Sequence, residues 1–485
     1  MISPLAAPSL WLTLESWQHE LLLFSAIWFL VGAIDDLIVD ALWLLHRSGR
    51  WLARYRIAPP MRASELPEPQ VAGLIAIFIP TWCEADVITT MLARCRNAWL
   101  DNGTHYRIYI GCYPNDRAGV AAIMAGCRQY GSARLVLCDQ DGPTSKADCL
   151  NRLWIALTRD ELAAGIKAKA VVLHDAEDMV HADELRVYDY LIERATAVQL
   201  PVIPVRVPGS RWISGHYCDE FAEAHGKALV VREAVGAAIP LAGVGCAISR
   251  THLGRIALKN GGLPFDQSSL TEDYELGLGV AGDGNRTIFA RIQDASGQLV
   301  GTRACFPDTL GTAVRQKARW MTGIALAGWD RLGWQGGLIE FWMRMRDRKA
   351  VFAAIVLTAA YACIFLTALL ILGQLAGYHK PKPFGDFLLI ILAINAVLLI
   401  WRLTVRACFV ARVHGKGEAL VSVPRTLIAN IIAIMAARRA VTAYLRHILG
   451  AALRWDKTAH SHFPASSSST SQSPINPHQT GPAGL

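Results

Sequence analysis

The sequence predicts an α/β domain with a mainly parallel sheet set between membrane helices, and three observations carry that prediction. Short apolar runs ending in polar residues alternate with helical patterns through the middle of the chain. Unbroken apolar stretches of bilayer length flank this region on both sides. In addition, 53% of the 485 residues are hydrophobic and only 18% are charged, which is too apolar for an ordinary soluble chain.

The first element is "LLLFSAIWFLVGAIDDLIVDALWLL", residues 21–45, long enough to cross a bilayer, which needs about 20 residues. No basic segment precedes it and bulky basic residues follow, so it is not read as a cleaved signal peptide. Asp35, Asp36 and Asp40 interrupt it, with Asp36 and Asp40 on one helix face, so these acids must face protein or water or lie near the interface. Two more spans, residues 350–377 and 387–405, are joined by the polar turn "YHKPKPFGD". Basic clusters follow the first span, precede the second and follow the third. By the positive-inside rule, residues 46–349 are then cytosolic and the N-terminus lies outside.

A fourth apolar run, "LIANIIAIMA", is about half the length a bilayer crossing needs and precedes Arg438 and Arg439; it is expected to be re-entrant or interfacial. The Ser- and Pro-rich tail cannot bury a core and is expected to be disordered. The plan is therefore a transmembrane helix with a basic juxtamembrane segment (1–67), a cytosolic α/β domain (68–330), an interfacial helix (331–349), two transmembrane helices (350–405), an interfacial or re-entrant helical segment (406–460) and the tail (461–485).

Several classes are excluded. The eleven cysteines are odd in number and include no CxxC pair, which speaks against a disulfide scaffold or a zinc ribbon and suits buried thiols in a reducing compartment. The net charge of +8 sits beside apolar segments, as in "HRSGRWLARYR", where it suits anionic lipid headgroups; no nucleic-acid partner is expected. There is no internal repeat, G-x-G-x-x-G or P-loop.

Four runs read as buried strands: "VAGLIAIFIPTW", "YRIYIGCYP", "ARLVLCD" and "AVVLHDAED". In such sheets ligands bind beyond the carboxyl ends of the strands, where their polar ends would gather. Thr81 and Glu84 of "IPTWCEADVI" follow the first strand, where they can hold an anionic or ribose-bearing ligand or simply cap a helix. Asn115 and Asp116 of "GCYPND" suit a ligand site or a turn. In "DGPTSKADCLN", Lys146 opens a helix, either solvated or meeting a diphosphate, with Asp148 and Asn151 close behind.

The stretch "HDAEDMVHADEL" places Asp175, Glu177 and Asp178 within four positions. It reads as a solvated helix start, as paired glycosidase-like acids, or as a metal seat. Asp175 and Glu177, two apart on an extended strand end, fall on one side, and hard oxygen ligands of this kind suit Mg²⁺ or Mn²⁺ with a substrate phosphate completing the shell. Glu272 and Asp273 of "SLTEDYELG" stand ahead of a helix, either within a capping box from Thr271 or Ser269 or as a catalytic base. Gln316, Arg319 and Trp320 of "AVRQKARWM" lie within little more than one helical turn and suit an interfacial helix.

Taken together, "IPTWCEAD", "SKADCLN", "HDAEDMV", "TEDYELG" and "RQKARW" resemble, in order and spacing, the membrane-embedded family-2 glycosyltransferases of the cellulose and hyaluronan synthase superfamily. A closer resemblance, to one bacterial inner-membrane subfamily, extends over about residues 21–460. The resemblance implies a GT-A fold with a Rossmann-like sheet and a nucleotide-sugar donor, a UDP-sugar foremost. It puts Thr81, Glu84 and Asp116 near the nucleotide and Lys146 in the place of a KAGN-type lysine. Asp175 and Glu177 take the acidic places of DxD, with Asp178 a further metal-ligand candidate, and Asp273 is the base of TED with Glu272 beside it. Gln316 and Arg319 lie near the diphosphate, and Trp320 lies beside the acceptor.

Three departures stand out: Glu177 replaces the second Asp of DxD, "YPND" replaces an Asp-Asp pair, and Asp148 stands where Gly is common. The implied activity is inverting transfer of a hexosyl or N-acetylhexosaminyl group to a growing polysaccharide at the bacterial inner membrane. A second copy of the chain or an envelope export partner could complete a channel. The alternatives are single-sugar transfer to a lipid carrier and a non-catalytic envelope scaffold or phage-receptor component.

Overall fold

The structure, a computed structural model, describes residues 6–54, 62–100, 103–378, 380 and 382–451. The tail expected at 461–485 lies outside these residues. In chain order the elements are helix α1 (Ala6–Arg54), β1 (Leu74–Pro80), α2 (Ala85–Trp99), β2 (Tyr106–Cys112), α3 (Arg117–Gln129), β3 (Ala133–Leu137), α4 (Lys146–Ala164), β4 (Ala168–Leu173), α5 (Glu184–Leu191), β5 (Ala197–Gln199) and β6 (Val202–Val205). There follow α6 (Ile213–Glu223), α7 (Leu229–Ala234), β7 (Cys246–Ser249), α8 (Arg250–Lys259), α9 (Glu272–Gly282), β8 (Thr287–Phe289) and β9 (Thr302–Cys305). The last part is helical: α10 (Leu310–Met321), α11 (Ala327–Leu332), α12 (Leu338–Arg348), α13 (Ala350–Leu375), α14 (Asp386–His414) and α15 (Lys416–Ile448).

Seven strands form one sheet in the order β3-β2-β1-β4-β7-β5-β8, and β6 pairs with β9 apart from it. All pairs are parallel except those of β7, which runs antiparallel to β4 and β5. The central strand β1 buries Ile75 to Ile79 completely, because helices cover both faces of the sheet. On one side Val87, Met91 and Leu92 of α2 pack with Ile123 and Tyr188; on the other Leu150, Leu153 and Leu157 of α4 pack with Leu253. The four expected strands are thus β1 to β4. The strands the sequence did not signal, β5 to β9, are three or four residues long, too short to show a period.

Among the described residues, four helices are long and apolar enough to cross a membrane: α1, α13, α14 and α15. The acids of α1 face protein, one of the environments expected for them. Asp35 accepts bonds from Trp342 Nε1 and Lys349 Nζ, both at 2.7 Å, and from Arg346. Asp36 pairs with Arg346 and Arg402 at 2.9 and 3.0 Å. Asp40 takes Lys227 Nζ at 2.6 Å and Trp401 Nε1 at 2.8 Å. The segment expected to be interfacial or re-entrant holds α15, one 33-residue helix that continues through Pro424. Its apolar run looked short because Arg425, which precedes it, is buried by pairing with Asp219 and Glu418 at 2.8 Å.

Candidate active site

A cavity of ≈ 430 Å³ opens beyond the carboxyl ends of β1 and β4, between them and α9 and α10. Thr81, Glu84, Lys146, the acids of the two clusters, Gln316, Arg319 and Trp320 line it, whereas Asn115, Asp116, Asp148 and Asn151 do not. This is where an open α/β sheet presents its strand ends.

Lys146 occupies the centre of the charge distribution. It is the first residue of α4, whose N-cap Ser145 accepts from the Asp148 amide at 3.2 Å. Its Nζ lies 2.6 Å from Asp175 Oδ1 and donates to Gly243 O at 3.2 Å. Burial opposes its charge, but Asp175, Glu272 and Asp273 more than offset this and hold the ammonium well above the usual lysine range. Gly243 is required on two counts: its φ is +71°, and a Cβ there would stand 2.4 Å from Asp273 Oδ2.

Neither expected cap explains the start of α9. Thr271 stands at the N-cap without a side-chain cap bond, and its Oγ1 is buried with no partner among the described residues. The Ser269 hydroxyl is spent on Glu275 at 2.6 Å. Asp273 Oδ1 accepts from the Tyr274 amide at 2.8 Å. Burial, followed by the neighbouring Asp273 charge, pushes Glu272 up to about 7. Burial likewise raises Asp273, against the pull of Lys146. The two adjacent acids titrate as a pair.

At the end of β4 the charges are balanced differently. His174 is fully buried, with Nδ1 2.9 Å from Asp178 Oδ2 and Nε2 2.9 Å from Glu184 Oε1. Burial alone would lower its pKa, but Glu184 and Asp178 raise it to about 10, so His174 is an imidazolium between two carboxylates. Asp178 Oδ2 also accepts from the Asp175 amide at 3.0 Å, which closes the turn carrying Asp175 and Glu177. Asp178 is therefore not the cap of the following helix: α5 begins at Glu184, with Asp183 before it. Its Oδ1 remains buried and unpartnered among the described residues.

On α10, Gln316 Oε1 and Arg319 Nε are also buried without partners among the described residues, although both residues line the cavity. Unmet polar atoms on one wall are what a polar ligand would satisfy. Trp320 joins an aromatic group with Tyr217, Phe221 and Phe306, at centroid distances of 6.2 to 6.4 Å.

Other sequence candidates hold the frame. Asp116 caps α3, accepting from the Gly119 amide at 3.0 Å, and takes the Cys83 amide at 2.8 Å. It fixes the Cys83 turn, where φ is +55°, and does not line the cavity. Asn115 clasps Gly142 through both its amide atoms, at 2.8 and 2.9 Å. Thr81 lines the cavity but donates its hydroxyl to Gly111 O at 2.8 Å, and Glu84 accepts from the Trp82 amide at 3.2 Å. Asp148 and Asn151 bind Gln267 and Phe265.

Three residues were missed. Trp82 and Tyr113 form an edge-to-face pair at 5.3 Å on the cavity wall, packed so closely on Gly142 that a Cβ there would meet Trp82 at 2.6 Å. Each directly follows or nearly follows a strand end, which was the available signal. His174 was masked by the acids around it.

Residues 170–405 match the family described as "Glycosyl transferase family group 2". This span contains β4 with its acids, α9, α10, α13 and most of α14. This part of the chain is thus similar to family-2 glycosyltransferases, as the motifs implied, and it belongs to a mainly parallel α/β sheet accompanied by long apolar helices. At the level of individual proteins, it is 34% identical over 456 residues to bacteriophage adsorption protein B of Escherichia coli K12, and equally to bacteriophage N4 adsorption protein B of Escherichia coli O157:H7. These matches cover 90% of this chain and 61% of each relative, so the chain spans about three fifths of the length of the curated relatives it matches.

Among solved structures, the mannosyltransferase PcManGT from Pyrobaculum calidifontis, in complex with GDP-Man and Mn²⁺, aligns with a TM-score of 0.49 at 16% identity, over 88% of this chain and 99% of that one. TarS of S. aureus with UDP-GlcNAc aligns with a TM-score of 0.33 at 11% identity, over 60% and 81%.

The donor set can be tested against a divalent ion from the residues themselves. Among the described residues no three His, Cys, Asp or Glu side chains are arranged to hold a metal unaided. Asp175 and Glu177 nevertheless share one cavity wall, and Asp178 keeps one buried oxygen unmatched. One or two carboxylates with substrate phosphates are the usual set for Mg²⁺ or Mn²⁺, so these residues fit.

Proposed function

We propose that the chain transfers a sugar from a nucleotide-diphosphate sugar, with inversion, to a polysaccharide acceptor. The observation that carries this reading is the single cavity in which Lys146, bound to Asp175, faces Glu272 and Asp273 while Gln316 and Arg319 present unmatched polar atoms. Asp273 takes the proton of the acceptor hydroxyl as that oxygen attacks the anomeric carbon from the face opposite the leaving diphosphate. Burial raises its pKa, the direction that makes a carboxylate a stronger base. Lys146 and Arg319 meet the charge that grows on the departing diphosphate. Asp175 and Glu177 would hold Mg²⁺ or Mn²⁺, which supplies Lewis-acid stabilisation of phosphate oxygens. Trp82 and Tyr113 offer apolar faces to the nucleoside base, and Trp320 lines the acceptor side.

For the acceptor, we favour a growing exopolysaccharide at the bacterial inner membrane, with the catalytic domain cytosolic. The basic clusters support that orientation. An interfacial placement of α15 is supported by its packing: Ile428, Ile432 and Met435 meet Tyr217 and Trp320, and Ala436 and Ala440 meet Ala318. One face of the helix thus rests on the catalytic domain through most of its length.

The test is turnover of a panel of nucleotide sugars by the full chain in lipid nanodiscs, with and without Mn²⁺, followed by product sizing. A polymer supports the reading, and a single sugar on a lipid shifts the acceptor to a lipid carrier. Absence of donor cleavage across the panel would sink the enzymatic reading in favour of an envelope scaffold.

A further inference from the structure

The sheet carries a second concavity of ≈ 290 Å³ at the end away from the donor cavity. It is walled by the residues leading into β5, the end of β7 with the start of α8, and the turn into β8. Its place is fixed by register: Ser249, on its wall, pairs with Ala170 early in β4, whereas the donor cavity lies beyond Leu173.

Its lining is mostly polar and its charged side chains are Arg194, Arg255, Arg286 and one acid, Glu193, which Lys169 already holds at 2.7 Å. Arg255 and Arg286 are exposed, and neither side chain makes a hydrogen bond or ion pair among the described residues. Arg194 is already committed, donating to Tyr190 O at 2.7 Å and lying 3.7 Å over the Tyr190 ring. The N-cap of α8, Ser249, makes no side-chain cap bond, so the first-turn amides lack their customary acceptor.

His252, in that first turn, is the second and independent feature. It is 3% exposed, and neither ring nitrogen has a hydrogen-bond partner among the described residues. Its nearest acid, Asp283, is 3.9 Å away and is engaged by Lys259 at 3.0 Å. An imidazole buried with both nitrogens unmet is costly unless something fills the place, and two free guanidinium groups stand on the same wall.

We propose that this concavity is an anion site for a small ligand bearing a phosphate monoester or diphosphate, held by Arg255, Arg286, His252 and the amino end of α8. Guanidinium forks match phosphate oxygens, and a helix N-terminus adds amides and a favourable dipole. The site is independent of the donor reading. It does lie one short strand from the catalytic loop, because Gln199 at the far end of β5 binds Val244 O, Gly245 O and the Ala242 amide at 2.8 to 3.1 Å.

The test is calorimetric titration of inorganic pyrophosphate into the full chain in phosphatidylcholine nanodiscs. Lys146→Ala removes the donor-site ammonium, and binding at the second site should survive in that variant. In the Lys146→Ala background, Arg255→Ala with Arg286→Ala should weaken the remaining binding at least about tenfold, the loss of one charge-assisted contact or more. His252→Gln should weaken it without changing the unfolding temperature of the ligand-free protein. Retained affinity in the arginine variant, or loss of all pyrophosphate binding with Lys146→Ala alone, would overturn the proposal. Repeating the titration with phosphatidic acid in the nanodisc separates the sources: competition assigns the phosphate to a lipid headgroup, and unchanged binding assigns it to a soluble ligand.

Discussion

The two acidic clusters of the cavity look alike in sequence, an apolar run or turn followed by adjacent carboxylates, yet the fold treats them in opposite ways. At the end of β4 two of the acids meet fixed cations: Asp175 has Lys146, and Asp178 has the imidazolium of His174. At the start of α9, the buried Glu272 and half-buried Asp273 stand side by side with no hydrogen bond from a cationic side chain among the described residues. The first cluster sets its acids against cations, although burial still raises Asp178, whereas the second places two acids raised by burial next to each other. Under the proposed function, that difference in compensation suits one cluster to a metal and the other to a base.

The largest expected effect breaks the α9 cluster. Asp273→Asn should cost about 10²–10⁴ in turnover, the range of general-base contributions, while donor binding measured by calorimetry stays near wild type. Turnover within a few fold of wild type would remove Asp273 from the role of base. Next, His174→Gln removes the cation between Asp178 and Glu184. Leaving buried carboxylates uncompensated costs about 3–5 kcal/mol, so its unfolding temperature should drop far more than that of Asp273→Asn. Equal stability of the two variants would show that the β4 cluster does not depend on its internal cation.

A pH titration sharpens the contrast more gently. The base must be ionised, so the rate should fall as pH drops through the raised range in which the adjacent Glu272 and Asp273 take up their protons. Glu272→Gln removes a like charge and should move that limb to lower pH, whereas an unmoved limb would uncouple the pair. Stability has its own sign. The folded protein holds the Glu272 proton more tightly than an unfolded chain, for which 4.5 is the reference. The contribution of Glu272 to stability is therefore complete below about 4.5 and is lost as pH rises through about 7, a decline that Glu272→Gln should flatten.

Much of this was legible beforehand because strand ends and spacing are local. β1 to β4, the long helices and the cavity residues on β4, α4, α9 and α10 follow from runs and motifs of a few residues. What was not legible depends on distant pairings. Nothing in "YPND" reveals that Asp116 accepts from the amides of Cys83 and Gly119 and so shapes the turn after β1. His174 read as part of a charged stretch, since its second partner, Glu184, lies ten residues on across a turn. The second concavity draws on Arg255, Arg286 and His252, which no motif links.

The smallest expected effect decides between Glu177 and Asp178 as the second carboxylate of the metal seat. Asp178 already serves the His174 ring and the Asp175 amide through one oxygen, so it acts on the turn rather than from it. Asp178→Asn keeps an acceptor oxygen for those bonds. It should weaken Mn²⁺ binding, read by the paramagnetic resonance of free Mn²⁺ in the presence of pyrophosphate, by no more than about tenfold, the low end for partners outside the coordination shell. Glu177→Gln, which removes a charge from the cavity wall itself, should weaken it more. If Asp178→Asn proves the worse of the two, the unpartnered Oδ1 of Asp178 is the ligand, and the β4 cluster is less fully compensated than its hydrogen bonds indicate.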